Sequence, residues 1–188
     1  YPELHDPAAN LASRAARRFL EEFGIKAGLE LSLIKRIPCQ SGLGGGSSDA
    51  AAVLRGASAL FSEELSGIGD SGERIRRLAL ELGADVPFFL ESGRLAVVGG
   101  SGEKVSELDA RGLRDFECAV VVPCFGCETR AVYRAWDQLA GRARVGPRAD
   151  RSWSKSLLNP GNLTEIVEND LEEAACLMEP RLGDIRSA

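Results

Sequence analysis

The chain has 188 residues, 44% of them hydrophobic and 27% charged, with a formal net charge of -5. That profile suits a soluble globular chain long enough to bury a core, as one domain or two small ones. No run of 18 or more apolar residues occurs, which excludes a helical membrane span, and the mild acidity argues against a nucleic-acid surface. Arginines cluster at Arg14-Arg17-Arg18, Arg74-Arg76-Arg77 and Arg142-Arg144-Arg148. Acids or alanines are interleaved with them, so they read as solvated faces.

In chain order, Asp6-Pro7 and Asn10 supply capping chemistry for a first helix, along which Leu11, Ala15, Ala16, Phe19 and Leu20 form an apolar stripe that Gly24 ends. Leu29, Leu31 and Leu33 alternate like a strand with one buried face, and Pro38 breaks it. A Gly-rich loop follows, and Ala50-Ala51-Ala52-Val53-Leu54 opens a helix running to about Phe61. Residues 66–72 read as a loop, and 73–82 as an amphipathic helix stopped by Gly83. The apolar segment Ala84-Asp85-Val86-Pro87-Phe88-Phe89-Leu90 comes next, then a short strand from Arg94 to Val98 and a tight turn at Gly99-Gly100-Ser101-Gly102.

Residues 104–115 are polar and are expected to connect two domains, spanning 1–108 and 109–188. The pattern restarts with a buried strand (Cys118 to Val122) and a helix (Thr129 to Leu139). An arginine-rich mobile loop (141–156) and a last helix from Leu163 to Leu177 complete the chain. Strands and helices in no strict βαβ order predict an α+β fold.

Five cysteines, an odd count, and an opening Tyr1 to Pro7 unlike a signal peptide read as reduced thiols in a cytoplasmic protein. Cys124-Phe125-Gly126-Cys127 has redox and zinc spacing, but no second pair exists and His5 is the only histidine. A closed zinc site or a Ser-His-Asp scheme is therefore not supported.

The segment Gly42-Leu43-Gly44-Gly45-Gly46-Ser47-Ser48-Asp49 carries the strongest chemical signal. Its glycines let the backbone approach a ligand closely. It runs into an alanine-rich helix, whose unpaired N–H groups and positive dipole end suit phosphate oxygens. The hydroxyls of Ser47 and Ser48 could bind phosphate or Mg2+. A turn with a simple helix cap needs fewer glycines and only one capping residue. The Walker pattern needs Lys where Ser47 stands, and the dinucleotide fingerprint needs a βαβ unit that does not follow.

From Ile37 to Ala51 the sequence resembles the ATP loop of the GHMP kinase superfamily. Leu82-Gly83-Ala84-Asp85-Val86-Pro87-Phe88-Phe89, Asn10-Leu11 with Ala15-Ala16, Gly100-x-Gly102-Glu103, Thr129 and Asn169-Asp170-Leu171-Glu172 extend the resemblance over nearly the whole chain. Within the superfamily it is most similar to the branch that phosphorylates 4-diphosphocytidyl-2-C-methyl-D-erythritol in the non-mevalonate isoprenoid pathway.

The resemblance implies a ribosomal protein S5 domain 2-like N-terminal domain and a ferredoxin-like C-terminal domain, both incomplete, with ATP and Mg2+ as cofactors. It implies ATP binding by Pro38, Cys39, Gln40, Ser41, Gly42, Leu43, Gly44, Gly45, Gly46, Ser47 and Ser48, with Asn10 and Leu11 at the adenine. It places Thr129 near phosphates or substrate and makes Asp85 the catalytic base. A carboxylate in so apolar a segment is expected to be buried, with a cation beside it. Asp49, in the first helical turn, reads as structural. Lys35 reads equally as a neighbour of the nucleotide or as a solvated strand end.

Three family features are not found: an Ala-Lys-x-Asn segment whose lysine partners the aspartate, a Gly-Tyr-His that holds cytidine, and a second glycine-rich loop. The expectation is a chain truncated at both ends and poorly active by itself. The other readings are a GHMP kinase acting on homoserine, mevalonate or a sugar, and an S5-like RNA-binding module.

Overall fold

The computed structural model describes residues 6, 8–39, 41–91, 95–109, 119–139 and 168–187. The chain divides into two compact units, Tyr1–Asp109 and Ala110–Ala188.

In the first unit, α1 (Leu11–Phe23) opens on Asn10, whose side-chain oxygen accepts the N–H groups of Ala12 and Ser13, and closes on Gly24 in the left-handed region at φ 63. Helix α2 spans Gly45–Leu60, α3 Ser62–Leu65, α4 Ser71–Leu82 and α5 Val86–Leu90. The predicted stripe of α1 is buried at Ala15, Ala16 and Phe19. Phe19, Leu54 and Val86 are the largest fully buried side chains, one each from α1, α2 and α5. The Phe19 ring stacks on Phe61 at 6.3 Å and meets Phe23 at 4.9 Å. Alanines at 50, 51 and 57 are buried on α2; a small residue at these positions lets α2 lie close to its neighbours.

Strands β1 (Ala96–Gly99) and β2 (Lys104–Glu107) pair antiparallel, with Val97 opposite Ser106 and Val98 opposite Val105. The α+β class predicted from sequence is the one observed.

Several local expectations are corrected. The glycine-serine run is helical from Gly45, five residues before the predicted onset at Ala50. Residues 104–107 form a strand rather than polar linker, because Lys104, Val105, Ser106 and Glu107 have a ladder partner in β1. Leu29, Leu31 and Leu33 lie on an extended segment with no ladder partner among the described residues. The buried face read from their alternation is not seen either: Leu31 and Leu33 are exposed, along a groove with Ala12, Val53 and Ala57.

An ion-pair cluster ties α1 to α4. Glu22 accepts from Arg74 and from Arg77, each at 2.8 Å, and the Arg74 guanidinium lies 4.8 Å over the Phe23 ring. The Arg74 hydrogen bond, followed by its charge and that of Arg77, holds the Glu22 carboxyl below its ordinary 4.5 against the opposing effect of burial. A lowered folded-state pKa stabilises above the unfolded value, and that stability is lost as pH falls through the folded value. Glu22→Gln is therefore expected to lower the melting temperature by a few degrees at neutral pH. The gap to the parent should close in melts run below pH 4.5; a gap unchanged across that range would contradict it.

The second unit contains α6 (Thr129–Leu139), α7 (Glu172–Met178) and α8 (Arg181–Ser187). Helix α6 packs on α7, burying Val132 and Ala174. The segment expected as a buried strand is unpaired where described, with Val120, Val121 and Val122 exposed. The last helix starts at Glu172, because Asn169 turns the chain just before it: its side chain accepts from Leu171 and its carbonyl from Glu172. Pro180 ends that run, and Arg181 begins a helix not foreseen from sequence. The loop predicted at 141–156 and the helix start at Leu163 lie outside the described residues. No helix among the described residues is long and apolar enough to cross a membrane.

Candidate active site

The site is built on the turn that precedes α2. Pro38 ends the extended segment, and its carbonyl accepts the Ser41 hydroxyl at 2.8 Å. Gly42 and Gly44 then adopt left-handed backbone, at φ 71 and φ 67, a region other residues enter only with strain. The helix begins at once, and its first i to i-4 bond runs from Ser48 N–H to the Gly44 carbonyl. The amides of Gly45, Gly46 and Ser47 precede that bond, and no side chain caps the helix. Three amide donors thus stand at the positive end of a 16-residue helix, an arrangement suited to an anion.

Two cavities meet at this turn. The first, of about 290 Å³, is bounded by Asn10 and Leu11 at the start of α1, by Lys35, Pro38, Cys39 and Ser41, and by the run from Gly42 to Ser47 with Asp49. Asn10 thus caps α1 and faces the loop at once. Lys35 Nζ lies 2.5 Å from Asp49 Oδ2, with side chains only 13% and 24% exposed. Lys35 is therefore no solvated strand end, and Asp49 braces it from the first turns of α2. Close packing continues at Gly45, where a Cβ would come 2.9 Å from Ile37 Cγ2 and 3.2 Å from Lys35 Nζ. Ser47 lines the cavity, whereas Ser48 turns its hydroxyl back to the Gly45 carbonyl at 2.9 Å.

The second cavity, of about 450 Å³, is bounded by Gly42, Leu43, Gly44, Asp85, Phe88, Phe89 and Val98. Asp85 stands at the N-cap of α5, where its side chain makes no cap bond. It is exposed, contrary to the expectation of burial, and pairs with no cation among the described residues. Its apolar neighbours Val86 and Pro87 turn into the core instead, which is why the local sequence looked buried. Phe89 is fixed twice: Arg55 of α2 donates to its carbonyl, and its ring lies where a Cβ on Gly44 would be, 2.8 Å away. The segment from Gly42 to Gly44 is the wall common to both cavities.

The sequence-predicted residues thus fall on the two sides of one turn, with Asp85 across it from Asn10, Leu11 and Ser47. Gln40 lies outside the described residues. Thr129 is exposed at the first position of α6, in the second unit. Phe88 and Phe89 were read from sequence only as part of the motif around Asp85, and Val98 only as a strand end; none was read as a wall of the site. The signal for Phe89 was the glycine at 44, a residue that must lack a side chain for a ring to approach. A larger groove along α1, bounded by Ala16, Leu20, Ile25 and Leu29, contains none of the candidate residues.

Residues 10–93, which form nearly all of both cavities, match the sequence model described as the GHMP kinases N terminal domain. Over these residues, just under half of the chain, it is similar to the GHMP kinases. Curated relatives agree. A 4-diphosphocytidyl-2-C-methyl-D-erythritol kinase of Chlorobium phaeovibrioides is 37% identical over 92% of this chain and 57% of its own length. The enzyme of that name from Parvibaculum lavamentivorans is 38% identical over 95% of this chain and 59% of its own. A solved structure titled 4-(cytidine 5'-diphospho)-2C-methyl-D-erythritol kinase superposes with a TM-score of 0.63 at 36% identity, over 95% of this chain and 60% of that one. The chain therefore spans about three fifths of the length of these relatives.

Proposed function

We propose that this chain serves a kinase that transfers the γ-phosphoryl group of ATP to the 2-hydroxyl of 4-diphosphocytidyl-2-C-methyl-D-erythritol, a step of the non-mevalonate isoprenoid pathway. The observation that carries the reading is the shared wall: a turn with three helix-terminal amides on one side and a carboxylate on the other. The first cavity takes the nucleotide, with Asn10, Leu11 and Lys35 at its nucleoside end and the amides of Gly45, Gly46 and Ser47 on its phosphates. Pro38, Cys39 and Ser41 shape the approach to the turn. The second cavity takes the acceptor alcohol.

Phosphoryl transfer asks chiefly for alignment and charge neutralisation. Asp85 accepts the proton of the attacking hydroxyl as that oxygen bonds to phosphorus, and ADP departs with the electrons of the broken P–O bond. An exposed carboxylate suits this role, because it is accessible to the acceptor. Mg2+, when bound, would offset charge on the β- and γ-phosphate oxygens. The Ser47 hydroxyl fits as one hard oxygen ligand beside them; Ser48, which lines neither cavity, is the poorer candidate. Among the described residues no cluster of three or more His, Cys, Asp or Glu could hold a metal unaided, so the phosphates would supply most ligands.

The second unit, Ala110–Ala188, is read as part of the GHMP kinase C-terminal domain. The working compartment is read as the cytoplasm.

An acceptor panel tests the proposal. The full-length gene product is supplied with ATP, Mg2+ and, in turn, the diphosphocytidyl alcohol, homoserine, mevalonate and galactose, and ADP release is followed. The diphosphocytidyl alcohol should give the highest kcat/KM by orders of magnitude. A higher value with another acceptor would move the protein to another branch of the GHMP kinases.

A further inference from the structure

The turn between β1 and β2 touches the peptide that carries Asp85. Gly102 is buried, at φ 113, and its N–H closes the turn onto the Gly99 carbonyl at 3.2 Å. A Cβ built on Gly102 would come 2.8 Å from the carbonyl carbon of Ala84 and 2.9 Å from its Cα, and closer still to its carbonyl oxygen. These are backbone atoms immediately before Asp85, so they cannot swing aside as a side-chain tip can. The turn itself is tied. The Glu103 carboxylate accepts the Ser101 N–H at 2.6 Å, and its own backbone N–H and that of Ser101 hold its pKa below 4.5. The same hairpin sends Val98 into the cavity that Asp85 faces.

We propose that the Gly99–Glu103 turn is a positioning element for Asp85: Gly102 seats the Ala84–Asp85 peptide, and Glu103 keeps the turn rigid beneath it. The inference rests on the reading of Asp85 as the base. Its physical basis is that α5 is only five residues long and Asp85 makes no cap bond, so α5 alone does not fix the carboxylate. A displacement of the order of ~1 Å at a reacting group can cost roughly a hundredfold in rate.

The fold supplies a graded comparison. Gly100 lies in the same turn, also in the left-handed region at φ 68, but a Cβ there would meet only the Glu103 carboxylate, the movable end of a side chain. Gly100→Ala would thus displace the Glu103 carboxylate and loosen the turn, whereas only Gly102→Ala pushes on the Ala84 backbone.

The test is steady-state kinetics of the full-length gene product with ATP and the diphosphocytidyl alcohol, with Asp85→Asn as reference. Gly102→Ala should lower kcat about a hundredfold with KM for ATP within about twofold, and Gly100→Ala, which displaces the Glu103 carboxylate, should lower kcat only about tenfold. Nucleotide binding by titration calorimetry reports whether each variant is folded. Should Gly102→Ala fail to fold, Glu103→Ala decides, since it loosens the turn from an exposed position without adding an atom near Ala84. It should lower kcat about tenfold with KM for ATP unchanged.

Equal kcat losses in Gly100→Ala and Gly102→Ala, a rise in KM for ATP in place of the fall in kcat, or, where Glu103→Ala decides, an unchanged kcat, would overturn the positioning role. Full activity in Asp85→Asn would instead sink the base assignment on which it rests, so the two failures are distinguishable.

Discussion

Asp85→Asn should lower turnover of the diphosphocytidyl alcohol by about 10²–10⁴-fold, the usual contribution of a general base, while leaving the affinity for ATP nearly unchanged. The split follows from the two cavities. Asp85 lines only the second cavity, and the amides that would hold phosphate belong to Gly45, Gly46 and Ser47 on the other side of the turn. Asparagine is nearly isosteric and Asp85 is exposed, so neither packing nor helix α5 should suffer. What is lost is the capacity to take a proton. A variant that retained full turnover in a coupled ADP assay would remove Asp85 from the mechanism. One that lost ATP affinity in equal measure would place it in the nucleotide site instead.

Gly44→Ala should damage both cavities at once. Two costs combine at that position. The backbone sits at φ 67, which costs an L-residue about 1–2 kcal/mol. The new Cβ would also lie 2.8 Å from two atoms of the Phe89 ring, and overpacking of that kind costs roughly 1–3 kcal/mol. The neighbouring glycines separate these contributions. Gly42, at φ 71 with nothing within 4 Å, should show the backbone cost alone. Gly46 is helical and open, so Ala there should leave stability unchanged or raise it by about 0.5–1 kcal/mol. Thermal melts should therefore rank the variants Gly46→Ala, Gly42→Ala, Gly44→Ala in order of falling stability. Titration should show ATP affinity weakened by about tenfold or more in Gly44→Ala, each factor of ten being about 1.4 kcal/mol. Melts in which Gly42→Ala and Gly44→Ala coincide would contradict the Phe89 contact.

Much of the first unit was legible because its signals are local. The stripe on α1, the Asn10 cap and the Gly24 stop need only 3.6-residue spacing and capping chemistry, and all three appear where read. The onset of α2 was misplaced because glycine and serine are poor helix formers; here the helix gains its first turn from Gly44 in the left-handed region and from packing of Gly45 on Ile37 and Lys35. Strands were harder, since a strand exists only with a partner. Residues 104–107 are polar yet paired, and the alternating Leu29, Leu31 and Leu33 have no ladder partner among the described residues.

Within the site, a glycine-rich turn opening a helix was legible from the glycines and the alanines that follow them. The Lys35–Asp49 pair was not, because a spacing of 14 residues carries no periodic signal. Nor was the exposure of Asp85: its apolar neighbours suggested burial, and only the packed fold shows that Val86 and Pro87 point inward while the carboxylate points out.

The division of labour across the Gly42–Gly44 wall is the central claim, and backbone amide resonances report on it directly. The Asp85→Asn chain is titrated with a non-hydrolysable ATP analogue. The account predicts saturable shifts concentrated at Gly42, Gly44, Gly45, Gly46 and Ser47, with the same affinity as the parent chain and no change at the distant Gly67 and Gly69. Saturation that leaves the amides of Gly45, Gly46 and Ser47 unmoved, or binding abolished by the loss of the Asp85 charge, would contradict it.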